Sequence, residues 1–142
     1  FPEGGYAEDI DWVIQLFSRA KYISFLNGLA YAYRQHGNST ASRSTEGPNH
    51  LAAIIQKWAE KVKQNEVPDP EVVAGLLAFE YGICMGHQQY LSREMKIILK
   101  EYQYLLHYAM DKKTKVIRLF HRIFGYWFTC NMIRFYLFCR RI

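Results

Sequence analysis

The chain has 142 residues, about one domain's worth, and half of them are hydrophobic and 16% aromatic, so a real core can form. Its three cysteines, Cys84, Cys130 and Cys139, match no zinc or disulfide spacing and read as buried or free thiols in a reducing compartment. The net charge of +5 is uneven: residues 1–45 hold four acids and four bases, residues 46–111 nine acids and six bases, and residues 112–142 eight bases and no acid. The basic character therefore excludes a uniformly cationic protein and points to an anionic partner for one segment.

In chain order, the opening "FPEGGY" lacks an initiator Met and reads as the interior of a longer protein, with no visible signal peptide. Residues 8–21 have helical periodicity, with Trp12, Val13, Leu16, Phe17 and Ala20 on one face. Glu8, Asp9 and Asp11 fall in its first turn, where free N–H groups favour negative charge. Two β-leaning runs then flank Asn27-Gly28, which predicts a hairpin, and Leu29, Tyr31 and Tyr33 alternate with Ala30, Ala32 and Arg34 as a strand would. Residues 36–49 are polar, rich in Gly and Ser, and long for a connection.

Pro48 opens a predicted helix to about Asn65, with Leu51, Ile54, Ile55, Trp58 and Val62 on one face. A second runs from Pro70 to Tyr90 and contains Gly75, Gly82 and Gly86, which weaken a helix but admit a close neighbour. Ser92 is placed to cap a third, carrying Met95, Ile98, Leu99, Tyr102, Leu106 and Ala109 in register. His50, His87, His107 and His121 form no metal-ligand pair in sequence.

The Glu8-Asp9 pair admits two readings: acids that stabilise a helix N-terminus, or a general base held at the mouth of a pocket. Asp11 suits the second poorly, since residues 9 and 11 point about 200° apart on a helix.

Residues 1–40, "FPEGGYAEDIDWVIQLFSRAKYISFLNGLAYAYRQHGNST", resemble the C-terminal part of the catalytic domain of family 2 glycosyltransferases, bacterial GT-A enzymes that build polysaccharides and cell-surface glycans. The resemblance is carried by a Gly-containing loop, Glu8-Asp9, Trp12, the amphipathic helix, Tyr31-x-Tyr33-Arg34 and Ser39-Thr40 in that order. It implies that Asp9 is the base that deprotonates the acceptor hydroxyl in an inverting transfer, with Glu8 orienting the acceptor. Trp12 is assigned by the same resemblance to substrate binding; Arg34 either neutralises diphosphate through its guanidinium fork or is a solvent-facing residue of the strand. His36 matches the loop where several members place a histidine that helps hold metal and diphosphate. The implied partners are a nucleotide-sugar donor and a glycan or lipid-linked acceptor. The implied cofactor is a divalent metal, Mn or Mg, with ligands mostly outside this chain.

The departures are as informative. The nucleotide-binding βαβ half and an Asp-x-Asp in the matching place are both lacking, so the isolated chain is expected to be inactive as a transferase. The Gln-x-x-Arg-Trp motif of processive synthases is also lacking.

The tail from Lys115 onward mixes large aromatics with Arg118, Arg122, Arg134, Arg140 and Arg141. Its longest charge-free run, Ile123 to Ile133, is 11 residues, short of the roughly 20 that span a bilayer. Either it packs on the other helices or it lies on an anionic membrane surface as a basic amphipathic pair. No nucleic-acid motif appears, and none is expected as partner.

Together these readings predict an α+β fold, mostly α. Residues 1–45 would be the acceptor-side end of a GT-A catalytic domain (helix plus β-hairpin), 46–111 a helical extension, and 112–142 a basic aromatic amphipathic tail. The expected location is cytoplasmic, membrane-associated on that face if the tail binds lipid. The reading from a different class is a non-catalytic helical module for membrane-surface or protein interaction.

Overall fold

The computed structural model describes residues 7–24, 27–28 and 46–139. They contain five α-helices: α1 (Glu8–Arg19), α2 (Gly47–Lys63), α3 (Pro70–Gly86), α4 (Arg93–Glu101) and α5 (Lys112–Cys139). Two 3₁₀ segments, Gln88–Tyr90 and Gln103–Tyr108, flank α4.

Helix α3 is the axis of the bundle. Its sequence, PEVVAGLLAFEYGICMG, is apolar on nearly every side, as a helix surrounded by others must be. It packs against α1, α2, α5 and the 3₁₀ segment Gln103–Tyr108. Leu77, Tyr81 and Met85 of α3 are buried with Ile14, Ile55, Trp58, Leu99 and Leu105 in one core. Each such side chain contributes about 1.5–3 kcal/mol through burial. The Tyr81 hydroxyl satisfies itself in this apolar setting by donating to the Leu99 carbonyl at 3.0 Å.

The glycines of α3 explain how the later chain docks. Gly75, Gly82 and Gly86 recur at seven and four residues and so share one face. A Cβ at Gly82 would lie 3.1 Å from Ile117 Cδ1, and one at Gly86 2.8 Å from both Ile133 Cγ2 and Leu137 Cδ1. The missing side chains are the groove into which α5 settles. At Gly75 the same vacancy is filled by Met110, whose Cε would be 2.5 Å from an added Cβ.

Local signals set the helix ends. Asp69 and Ser92 cap α3 and α4, their side chains accepting from the N–H groups of Val72 at 3.2 Å and Met95 at 3.1 Å. Asn49 near the start of α2 donates to the Tyr90 carbonyl at 3.2 Å and accepts from the Ser92 N–H at 2.9 Å, tying α2 to the entry of α4. The third predicted helix does not run unbroken to Ala109; it ends at Glu101 and tightens into the 3₁₀ segment that turns Leu105 and Leu106 under α3. Helix α5 is broken at Gly125, whose φ of 77° no helix accommodates. Cys84 and Cys130 are buried free thiols and Cys139 is an exposed one.

The expected α+β class is corrected: no strand occurs among the described residues, and the architecture is all-helical. The predicted hairpin fails at its turn. Gly28 is exposed and lacks the positive φ that an Asn-Gly hairpin turn requires. Ahead of it Tyr22 to Ser24 are exposed and form no regular structure, with Tyr22 94% accessible. A two-stranded ribbon is marginal alone and needs a sheet or helix beneath it; no sheet exists among the described residues. The expected strand from Leu29 to Arg34 lies outside the described residues.

Candidate functional site

An open cavity of about 360 Å³ lies where the first turns of α1 meet the middle of α3 and the Met110-Asp111 junction. Ile10, Ile14, Phe79 and Met110 give it apolar walls, and three carboxyl groups line it: Asp9, Glu80 and Asp111.

Asp9 comes from the first turn of α1. The turn begins at Ala7, whose φ of 65° and ψ of 27° are left-handed and cost a non-glycine residue about 1–2 kcal/mol. The helix then carries Glu8, Asp9 and Asp11 at its positive end. Its inward face, with Ile14 buried against α3, turns Asp9 toward the cavity. The Asp9 side chain is exposed and has no hydrogen-bond partner among the described residues.

Asp11 is occupied elsewhere. Its carboxylate accepts from Trp58 Nε1 at 2.6 Å and from Lys57 Nζ at 2.9 and 3.0 Å, with Gln15 donating at 3.1 Å. Burial pushes its pKa up, but these donors and the Lys57 charge outweigh that and hold it below the ordinary aspartate value. Asp11 is therefore a structural clamp between α1 and α2.

Glu80 is the unusual group. It stands alone in an apolar stretch of α3, and its Oε2 is buried with no hydrogen-bond partner among the described residues. Burial first, then the neighbouring charge of Asp9, raises its pKa to about 7. Near neutrality it holds a proton for much of the time. Asp111 behaves oppositely. Burial pushes it up, yet hydrogen bonds from Thr114 and from the Lys113 N–H at 2.9 Å and Thr114 N–H at 3.0 Å leave it below the ordinary value. One cavity thus holds a proton-bearing carboxyl, an ionised cap and a solvent-accessible carboxylate.

The residues singled out from sequence are placed unequally. Asp9 lines the cavity; Glu8 is half-buried beside it and does not, and Trp12, half exposed, also lies off it. Arg34 and His36 lie outside the described residues, as do Tyr31, Tyr33, Ser39 and Thr40. No group of three His, Cys, Asp or Glu among the described residues could hold a metal ion. Sequence reasoning missed Glu80 and Asp111. The signal for the first was a single acid between Phe79 and Tyr81 in an otherwise apolar helix; for the second, an Asp just ahead of Lys112, Lys113 and Thr114.

No family model, no curated protein and no solved structure matches this chain.

Proposed function

We propose that this chain forms the acceptor-side part of an inverting glycosyltransferase, acting with a nucleotide-sugar donor on a glycan or lipid-linked acceptor at the cytoplasmic side of the cell. The observation that carries this is the position of Asp9: an exposed carboxylate at a helix N-terminus, lining a cavity of about 360 Å³ with apolar walls. The ordered resemblance of residues 1–40 to family 2 enzymes supports the same role.

In this reading the acceptor hydroxyl enters the cavity and hydrogen-bonds to Asp9. Asp9 takes the proton as the hydroxyl oxygen forms a bond to the anomeric carbon of the donor. The bond from that carbon to the nucleoside diphosphate breaks, its electron pair leaves with the diphosphate, and the configuration inverts. Ile10, Phe79 and Met110 supply apolar surface for the face of a sugar ring. Glu80, while protonated, adds a hydrogen-bond donor beside the base rather than a second negative charge.

The test is Asp9→Asn in an enzyme that carries this segment together with its donor-binding half. The expected result is a fall in kcat of about 10²–10⁴, the usual worth of a positioned base, with donor affinity unchanged. Near-normal turnover would remove Asp9 from the role.

A further inference from the structure

Helix α5 presents a face that nothing among the described residues covers. In its first half Val116, Leu119 and Ile123 succeed one another at helical spacing and are half or more exposed. In its second half Trp127, Phe135 and Phe138 are 74%, 68% and 62% accessible. The break at Gly125 does not interrupt the apolar surface. Phe120, Phe124 and Phe128 step across it with ring centroids 5.8 and 4.8 Å apart.

Charge accompanies this surface. The described part of the helix carries Lys112, Lys113, Lys115, Arg118, Arg122 and Arg134 and no acid. None of the six forms an ion pair among the described residues. Beside the second half lies a separate cavity of about 220 Å³, lined by Lys96, Arg134, Gln88, Gln89, Asn131 and Trp127 among others, with no carboxylate. Gln88 and Asn131 already donate to the Tyr126 hydroxyl at 3.5 Å and the Trp127 carbonyl at 2.9 Å, so the donors suited to a phosphate group are chiefly the two cations, with the Gln89 amide beside them. Trp127 belongs both to this hollow and to the exposed aromatic face.

We propose that α5 docks in the plane of a bilayer containing anionic phospholipid, with its exposed aromatic residues in the interfacial layer and a headgroup phosphate held between Lys96 and Arg134. No helix among the described residues is long and apolar enough to cross a membrane, so the helix lies on the surface. Charge chooses the lipid over a second copy of the chain. Pairing two copies through this face would bring like-charged cations together, whereas an anionic leaflet compensates each of them. This inference stands apart from the transferase reading and survives its failure.

The experiment is co-sedimentation of the full chain with two kinds of vesicle, phosphatidylcholine alone and an equal mixture of phosphatidylcholine and phosphatidylglycerol. Wild-type chain is expected on the mixed vesicles at low ionic strength, released as salt is raised, and absent from the neutral ones. Leu119→Glu with Phe135→Glu removes apolar anchors and lowers partitioning at least tenfold, by about the worth of two buried side chains. Lys96→Gln with Arg134→Gln lowers it about 25-fold, near fivefold per charge. The unmodified chain decides the matter even if a variant misfolds. Absence from mixed vesicles at low salt overturns the proposal, and so does equal binding to neutral ones or self-association through α5 without vesicle binding. Wild-type-like partitioning of the Lys96 and Arg134 variant, with its helical circular dichroism intact, overturns the headgroup site.

Discussion

Glu80 offers a quantitative test of the packing around the cavity. Its pKa is about 7 in the folded chain against an ordinary 4.5. Between those values the folded chain holds a proton that the unfolded chain has released. The native state then binds more protons, so stability falls as pH rises through that window. The contribution is fully present below pH 4.5 and gone above about 7. At about 1.4 kcal/mol per pH unit the span gives an upper bound of about 3 kcal/mol, and partial solvent access at the cavity reduces it to about 1–2 kcal/mol. The measurement is urea unfolding of wild type and Glu80→Gln from pH 5 to pH 8. Glutamine cannot ionise, so its profile lacks this slope, while histidines and other titrating groups act alike in both proteins and cancel in the difference. The variant should gain about 1–2 kcal/mol on wild type between pH 5 and pH 8. In an Asp9→Asn background the window should narrow but persist, because burial rather than the Asp9 charge is the larger cause. Parallel profiles for wild type and Glu80→Gln would refute the reasoning, since they would mean that Glu80 is solvated and that α1 does not close over α3.

Asp11→Ala should cost about 1–3 kcal/mol in urea unfolding at pH 7, chiefly by orphaning the Trp58 N–H, while Asp11→Asn, which keeps an acceptor, costs less. Because the Asp11 pKa is lowered in the fold, its contribution is present above the ordinary 3.8 and is lost as pH falls below it, so the penalty of Asp11→Ala should shrink in acid. Gly86→Ala should destabilise by about 1–3 kcal/mol despite better helix propensity, because its Cβ meets the stiff Ile133 and also Leu137. Gly82→Ala meets only the end of Ile117 and should be near neutral; equal thermal shifts for the two would contradict the glycine groove.

Elements that depend on their own periodicity were legible in the sequence. Helices α1, α2 and α3 follow from apolar residues at helical spacing, and the Ser92 cap from its place ahead of the α4 pattern. The glycines of α3 announced a close neighbour but could not name it, since Met110, Ile117 and Ile133 reach them from a distant part of the chain. The Asn-Gly hairpin misled for the converse reason. Asn-Gly favours a turn, but a ribbon persists only where a further layer covers it, and that layer is not written in the local sequence. Asp9 was legible as a helix N-terminal acid, whereas Glu80 was not, because its raised pKa arises from α1 and Met110 closing over α3, a tertiary event. What the sequence does show is that an unaccompanied acid inside an apolar helix must find a partner, shed its charge or open to water.

Helix α3 also sets the distance between the two sites. Phe79 and Glu80 line the acidic cavity, and Met85 and Gly86 line the basic hollow beside α5. Six residues of helix separate Glu80 from Gly86, a rise of about 9 Å. The two hollows have opposite electrostatic character on one rigid rod, carboxyl groups at one and Lys96 with Arg134 at the other. A phosphate brought to the carboxyl end would meet Asp9 and Asp111 with no cation among the lining residues to offset them, whereas at the other hollow Lys96 and Arg134 offset its charge.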